Sequence, residues 1–245
     1  MANFIGKDSV VLIDQYDVSA YFQNASPSTE TSMHENTGFG AASGARIFLP
    51  GLVTGALTLT GLLDGVVATG QDAVFNALRL QATAPVVTIF ASNSTIGRRA
   101  VLVGARMANY TIDDPFADLV GVTADFKADG GLDYGVSLHA LGAETGTGSS
   151  ASYDHGAEDP TSSSVATLHV TAIAGGGTWT FRQQHSADNS IWVDWTTFTA
   201  VTAISAQRAV VASGTMLRYR REDRAVAGGA GNSITFAMGH GRRVT

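Results

Sequence analysis

Short runs in which apolar and polar residues alternate one by one recur along this chain and constrain its fold more than any other feature. From residue 120 to 128, Val, Val, Ala, Phe and Ala alternate with Gly, Thr, Asp and Lys. The same alternation occurs at residues 57–60, 167–171, 191–196 and 217–222. A period of two places apolar side chains on one face of a strand and polar side chains on the other. The sequence therefore predicts a mainly β protein built from half-buried strands.

One helix is expected among these strands, at residues 71–81. Asp72 suits the positive end of the helix dipole. The residues on one stripe of this helix are Val74, Ala77, Leu78 and Gln81. Residues 86–90 form an apolar run typical of a strand buried on both faces, and residues 100–112 form a longer β run. The Asp-Asp-Pro sequence at residues 113–115 ends that run as a turn.

The composition changes between residues 144 and 164, where Gly and Ser dominate. Small, polar residues of this kind predict a flexible linker. The linker separates an N-terminal domain, residues 1–143, from a C-terminal domain, residues 165–245. The short strands and turns after the linker predict a compact, immunoglobulin-like or similar small β-sandwich.

The charge is low and unevenly distributed. The formal net charge is −6, and residues 1–145 hold 14 acids against 7 bases, whereas residues 146–245 hold 7 acids and 8 bases. This balance argues against a nucleic-acid binder, which normally presents a basic face. Only 15% of residues are charged, and 13 of the 15 basic residues are Arg. Since interface cores are depleted in charge but accept Arg, this composition favours a chain that hides surface against partners.

Residue types exclude several classes of site. The chain has no cysteine, so it has no disulfide framework and no thiolate zinc site. The N-terminus shows no signal peptide and no stretch approaches 18 consecutive apolar residues, so we expect cytoplasmic synthesis and no membrane insertion.

Motifs for catalysis and cofactor binding are weak. The Gly-Phe-Gly at residues 38–40 lacks the Gly-Lys-Ser/Thr ending of a phosphate loop, and no Gly-x-Ser-x-Gly elbow occurs. The six histidines show no metal spacing. A small cluster in the linker could hold a cation, but a solvated loop is the simpler interpretation: Asp154, His155, Glu158 and Asp159. We therefore expect no enzyme activity, no cofactor and no metal site.

Residues 17–64 read as a strand, a long glycine-rich arm at residues 34–45, and a second strand. Long loops without regular structure are uncommon and tend to be functional. Because this arm carries no catalytic group, contact with another molecule is its expected role.

Five sequence pieces follow one another in this stretch: Asp17-Val18-Ser19-Ala20-Tyr21, Ser26-Pro27-Ser28-Thr29-Glu30, the glycine-rich arm, Arg46-Ile47-Phe48-Leu49-Pro50-Gly51-Leu52, and Gly55-Ala56-Leu57-Thr58-Leu59-Thr60-Gly61. This order resembles the major tail tube proteins of long-tailed, siphovirus-like bacteriophages, with gaps over roughly residues 1–142. The resemblance implies a tail-tube-type β-sandwich or barrel with one helix, followed by an additional C-terminal domain. It also implies a structural virion protein that self-assembles into stacked hexameric rings, the conduit for DNA ejection. A related contractile-injection tube is an equally open possibility.

The resemblance also implies partners and positions for particular residues. The partners are further copies of the chain, other tail proteins (terminator, baseplate or tip, tape measure), and viral DNA that passes through the lumen without specific binding. The location is the virion tail, after assembly in the host cytoplasm. Candidates for the arm that contacts a neighbouring ring or subunit are His34, Glu35, Phe39, Arg46 and Phe48. Candidates for the lumen wall are Glu30, Thr58, Thr60, Thr123 and Asp125, since a neutral or acidic wall lets DNA slide.

An alternative function is an envelope- or glycan-binding β module of a phage tail or injection-type particle. All three tryptophans lie in the C-terminal half. Trp192 alternates away from Ile191 and Val193 and is therefore the best candidate for an exposed, surface-binding ring, although a small β core that needs large side chains is the simpler interpretation of the three tryptophans. A basic run, interrupted by Glu222 and Asp223, fits either a phosphate-binding stripe or a salt-bridged strand: Arg218, Arg220, Arg221 and Arg224.

Overall fold

The computed structural model describes residues 8–36, 46, 48–64, 70–115, 118–160, 163–211 and 213–243. These residues form a mainly β protein with antiparallel sheets and one helix, which confirms the predicted fold class. The elements are β1 (Val10–Ile13), β2 (Tyr16–Asp17), β3 (Phe22–Glu35), β4 (Phe48–Leu62), α1 (Gln71–Arg79), β5 (Val86–Phe90), β6 (Arg99–Asp113), β7 (Gly121–Ala128), β8 (Asp133–Glu144), β9 (Gly148–Ser149), β10 (Tyr153–Asp154), β11 (Ser164–Ala174), β12 (Thr178–Ser186), β13 (Val193–Thr197), β14 (Ser205–Val211), β15 (Tyr219–Ala227) and β16 (Ser233–Arg242).

One long strand, β6, belongs to two layers. Its first half lies between β5 and β8 in a sheet of order β14-β11-β16-β8-β6-β5-β1-β2. Its second half pairs with β7, which pairs with β4, which pairs with β3. We call the unit β3-β4-β7-β6 the four-stranded sheet. It packs on the first layer, and the two enclose the first core.

The first core is apolar and centred on the helix. The Phe75 ring lies 5.7 Å from Phe22, 5.2 Å from Tyr110 and 6.2 Å from Phe126, measured between ring centroids. The predicted stripe was partly wrong, because the helix buries Gln71, Val74, Phe75 and Leu78. Ala77 is exposed. The helix ends at Arg79, two residues before the predicted boundary.

A second core lies between the β14-β11-β16-β8 part of the large sheet and a smaller sheet of order β10-β15-β12-β13. Its largest buried side chains include Trp179, Phe181 and Phe236, and the Phe181 and Phe236 rings lie 4.6 Å apart. Strand β8 pairs with β16 along most of its length, so one sheet runs through both predicted domains.

The described residues 144–160 include paired strands where a flexible linker was expected over residues 144–164. Strands β9 and β10 within this segment both pair with β15. The Ser150 amide donates a hydrogen bond of 3.0 Å to the Glu222 carbonyl. Gly and Ser residues leave room for such close backbone pairing, so a composition typical of linkers is also compatible with short edge strands. The division into two domains stays a prediction, as does the immunoglobulin-like character of the second.

Candidate functional site

The four-stranded sheet presents one polar face and one apolar face. Two adjacent cross-strand rows of polar residues run across it: Asn24, Thr60, Thr123 and Thr111 in the first, and Ser26, Thr58, Asp125 and Asn109 in the second. The residues between these rows point the other way, into the first core, where Leu57, Leu59 and Phe126 are buried. The polar face therefore points away from the body of the protein.

The five candidate wall residues all lie on this polar face. Thr60 lies opposite Thr123 and Thr58 lies opposite Asp125, with the Thr58 hydroxyl donating a 2.7 Å hydrogen bond to the Asp125 carboxylate. Glu30, which pairs with Thr54, lies on the same face two rows further along. The five residues share one face because alternate residues of a strand point to the same side. Their role as a channel wall stays a prediction.

Basic groups offset part of the acidity of this face. Lys127 is exposed one row beyond Asp125, opposite Arg106 on β6. The Arg106 guanidinium donates a 2.9 Å hydrogen bond to the Ala82 carbonyl, which draws it toward the sheet edge. The polar face is therefore close to neutral, with hydroxyl groups in the majority.

The candidate arm residues are more ordered than the sequence indicated. His34 and Glu35 belong to β3, where they pair with Leu49 and Phe48 of β4. The predicted loop is thus partly a β-hairpin, because the two strands keep pairing up to residues 35 and 48. Arg46 lies 3.7 Å from the Glu35 carboxylate. Phe39 lies outside the described residues.

The end of this hairpin, residues 31–35 and 48–53, carries exposed apolar side chains. Met33 is 61% exposed, Phe48 50% and Leu52 83%. Through their pairing, Met33 with Pro50 and Glu35 with Phe48, these residues extend the hairpin beyond the part that covers the first core. Contiguous exposed apolar surface of this kind usually marks a contact with another molecule.

Both long edges of the four-stranded sheet are open. Within the described parts of the chain, no strand pairs with the outer edge of β3, nor with the β5-side edge of β6 at residues 106–113. Unpaired edges offer rows of free N–H and C=O groups to a further strand. Sequence reasoning missed these edges, because pairing between distant strands leaves no local signal.

The tryptophans do not form an exposed binding surface. The Arg221 guanidinium carbon lies 4.1 Å from the centroid of the half-buried Trp192 ring. Ile191 and Val193 are the more exposed neighbours, at 72% and 52%, which reverses the order expected from alternation. Trp179 is fully buried, and Trp195 donates a 2.7 Å hydrogen bond to the Ser164 hydroxyl.

Two arginines of the basic run form ion pairs, whereas Arg220 hydrogen-bonds to His240 and Arg221 donates to Gln184. Arg218 contacts Asp154 at 2.6 Å, and Arg224 contacts both Glu222 at 3.0 Å and Glu144 at 2.5 Å. Glu222 is fully buried, and this burial raises the pKa of its carboxyl group to about 7, although Arg224 opposes the shift. The four arginines of the run thus contact side chains of the same chain, two of them through acids, rather than forming a phosphate-binding stripe.

No metal-binding geometry occurs among the residues that the structure describes. No group of three or more His, Asp or Glu side chains converges there. Asp154 of the linker cluster instead accepts hydrogen bonds from Arg218 and from the Gly156 amide. The single described helix is too short and too polar to cross a membrane.

Comparisons with known proteins give distant structural likenesses only. No protein-family model matches the chain, and a search of curated proteins finds no match. A chain from the virion of a native gene transfer agent particle aligns with 54% of this chain and 98% of its own length, at 13% identity and a TM-score of 0.44. A chain of the PVC sheath–tube complex, an extracellular contractile injection system in the extended state, aligns with 55% of this chain and 92% of its own, at 16% identity and a TM-score of 0.43.

A third likeness covers nearly the whole chain. The SPP1 Dit protein, described as a hub adsorption apparatus of phages that infect Gram-positive bacteria, aligns with 96% of this chain and 99% of its own, at 11% identity and a TM-score of 0.39. At identities and TM-scores this low, the likenesses establish nothing about what this chain does.

Proposed function

We propose that this chain is a structural subunit of a bacteriophage-type tail tube. In this proposal, copies join edge to edge into hexameric rings, and the stacked rings form a conduit through which DNA leaves the particle. The observation that carries the proposal is a four-stranded sheet with two open edges, one polar face and one buried apolar face.

The directions of the strands suit head-to-tail joining. Three antiparallel pairings separate β3 from β6, so these two edge strands run in opposite directions. The β3 edge of one copy can therefore continue the β6 edge of the next as a regular antiparallel pair. Such a heterologous contact generates a closed ring when its rotation closes. Closure would also remove edges that otherwise promote aggregation.

The difference between the two faces of the sheet determines which face would line the bore of such a ring and which would face outward. The apolar face is covered by α1 and the first core, so the polar face would line the bore. That face carries Thr58, Thr60 and Thr123 with the acids Glu30 and Asp125, and Lys127 as the nearby base. A hydroxyl-rich, nearly neutral wall gives DNA phosphates little to bind, because tight retention requires many Lys or Arg contacts.

The hairpin end has a role in the same proposal. Its exposed Met33, Phe48 and Leu52 would be covered by a neighbouring subunit or the next ring. The order of sequence pieces in residues 17–64, which resembles tail tube proteins, supports this placement independently of the sheet edges. The chain would then contact other tail proteins at the ends of the tube and reside in the virion after cytoplasmic assembly.

Electron microscopy of the purified chain, combined with analytical ultracentrifugation, tests the proposal. We expect six-fold rings or tubes of uniform width whose amount rises with protein concentration. A tail completion protein added as initiator would extend the test to tubes that need a starting ring. Monomers that persist at high concentration with and without the initiator would overturn the proposal.

A further inference from the structure

A groove of about 870 Å³ opens beside the free edge of β3, between that strand and strands β1, β5 and β6. Its floor contains apolar side chains from both layers, including Val11, Ile89, Val101 and Pro27. Arg99 lies at the groove with its guanidinium carbon 5.3 Å from the centroid of the Tyr134 ring. Among the described residues that line the groove, Arg99 is the single charged one.

Exposed apolar side chains flank the other open edge, that of β6. Ile112 is 45% exposed and Leu80, which caps the C-terminus of α1, is 81% exposed. The chain after Leu80 runs beside this edge, since the Ala82 carbonyl accepts a hydrogen bond from Arg106 and the Pro85 carbonyl accepts one from the Ala105 amide, both at 2.9 Å. Asp113, also exposed, follows Ile112.

We propose that the groove beside β3 is the docking site for Ile112 and Leu80 of a second copy of this chain. The inference rests on the proposed function, because it requires that β6 of one copy lie next to β3 of another. In such a contact, Ile112 and Leu80 would pack into the groove beneath the backbone hydrogen bonds that join the two copies.

The register of the four-stranded sheet supports this occupant. Ile112 lies opposite Val122, Val122 opposite Gly61, and Gly61 opposite Phe22, which lines the groove. Ile112 and Phe22 therefore stand at the same level on the apolar face, at opposite edges of the sheet. When a second copy continues the sheet near this register, its Ile112 points into the groove side of β3.

Charge favours the same pairing. Asp113 lies on the polar face with Thr111, whereas Asp114 follows the end of β6 two residues after Ile112; both acids are exposed, and Arg99 is exposed at the groove. A base on one edge and acids on the other are complementary in a head-to-tail joint and repel in a joint of like edges. When a β6 edge of one copy meets the β3 edge of another, the apolar side chains of the groove are therefore buried and Arg99 lies near an acid.

Cross-linking provides a direct test, because the chain contains no cysteine and every introduced thiol is unique. Single variants Gln23→Cys, at the groove, and Ile112→Cys are purified, mixed under assembly conditions and treated with a short bismaleimide. We expect a covalent dimer of the two variants at several times the yield of a matched control mixture. The control pairs Gln23→Cys with Val193→Cys, a position in the C-terminal half whose side chain is 52% exposed against 45% for Ile112.

A charge-reversal experiment gives a second readout. Arg99→Glu should raise the concentration required for assembly at least tenfold, and Asp114→Arg in the same chain should restore most of the assembly. If the unmodified chain forms rings but the Gln23/Ile112 mixture cross-links no better than the control, the docking site is wrong and the proposed function stands. If the unmodified chain stays monomeric under every condition, both proposals fall.

Discussion

The four-stranded sheet and the second core handle their polar and apolar groups in opposite ways. In the second core, charges are turned inward and paired, as Arg224 is with Glu222 and Glu144. In the four-stranded sheet, strand edges and the apolar hairpin end are left open. A protein surface with few charges can therefore arise in two ways. One region hides its charged side chains in internal ion pairs, and the other exposes mainly uncharged side chains.

This difference has a physical consequence for each region. Buried charges are costly unless they are paired, so the stability of the second core depends on its internal ion pairs. Open edges and exposed apolar side chains are costly in water and are relieved by association with another chain. The second core pairs its buried charges within the chain, whereas in the proposed function a second copy covers the open edges and the apolar hairpin end of the four-stranded sheet.

The largest expected effect tests whether the two cores fold together. Phe75→Ala in the first core and Phe181→Ala in the second should each lower the free energy of unfolding by about 3–5 kcal/mol. Because β8 and β16 share one sheet, both variants should unfold in a single transition. Tryptophan fluorescence reports the C-terminal half, where all three tryptophans lie, and far-ultraviolet circular dichroism reports all strands.

In this experiment, Phe75→Ala should shift the urea midpoint equally for both probes. A fluorescence midpoint that stays at the value of the unmodified chain, with a second transition in circular dichroism, would instead support two independent domains.

A second prediction concerns the buried carboxyl group of Glu222. Burial raises its pKa from the ordinary glutamate value of about 4.5 to about 7. The folded protein therefore holds a proton that the unfolded chain releases above about pH 4.5, so stability should fall as pH rises from about 4.5 to 7. The contribution is up to roughly 3 kcal/mol. Glu222→Gln keeps the shape and removes the titration, so the difference between the two stability–pH profiles isolates it. Parallel profiles would show that Glu222 does not titrate in this range.

The opposite slope is expected at His169, which lies where the C-terminal half meets the first layer. Its ring contacts the Asp14 carbonyl and the Thr88 hydroxyl, both at 2.7 Å. Burial lowers its pKa to about 4. Since the unfolded chain binds this proton below about pH 6.5, stability should fall by roughly 2–3 kcal/mol as pH drops from 6.5 to 4. His169→Gln should flatten this part of the profile, as measured by thermal unfolding. His139 and His240, whose pKa values are also lowered by burial, remain in both proteins and cancel.

Substitutions at the hairpin end should have the smallest effect on stability and a large effect on assembly. Replacing Met33, Phe48 and Leu52 by Ser should change the free energy of unfolding by about 0.5 kcal/mol or less per site, since exposed positions contribute little. Assembly should nevertheless require at least tenfold more protein, as measured by sedimentation. The matched control is Ile191→Ser with Val193→Ser, which removes exposed apolar surface from the C-terminal half. Loss of assembly in the control, with the hairpin variant unaffected, would reverse the roles assigned to the two regions.

Several features of the fold were predictable because they depend on neighbours in the chain. Alternation placed Thr58, Thr60, Thr123 and Asp125 on one face, since successive side chains of a strand point to opposite sides. The buried strand at residues 86–90 was predictable from four apolar residues that leave only Thr88 polar. The helix was recognised, but which of Phe75 and Ala77 is buried depended on where the sheet lies against it.

Other features depended on residues far apart in sequence. Trp192 is covered by Arg221 of β15, and residues 148–149 and 153–154 also pair with β15, about 70 residues later in the chain. The open edges of β3 and β6 likewise exist only because of which strands pair elsewhere. By itself, the sequence determined strand positions, facing and the low charge, because these are local properties of the chain. Tertiary structure alone decided which edges stay open and which charges are buried, because both depend on long-range pairing.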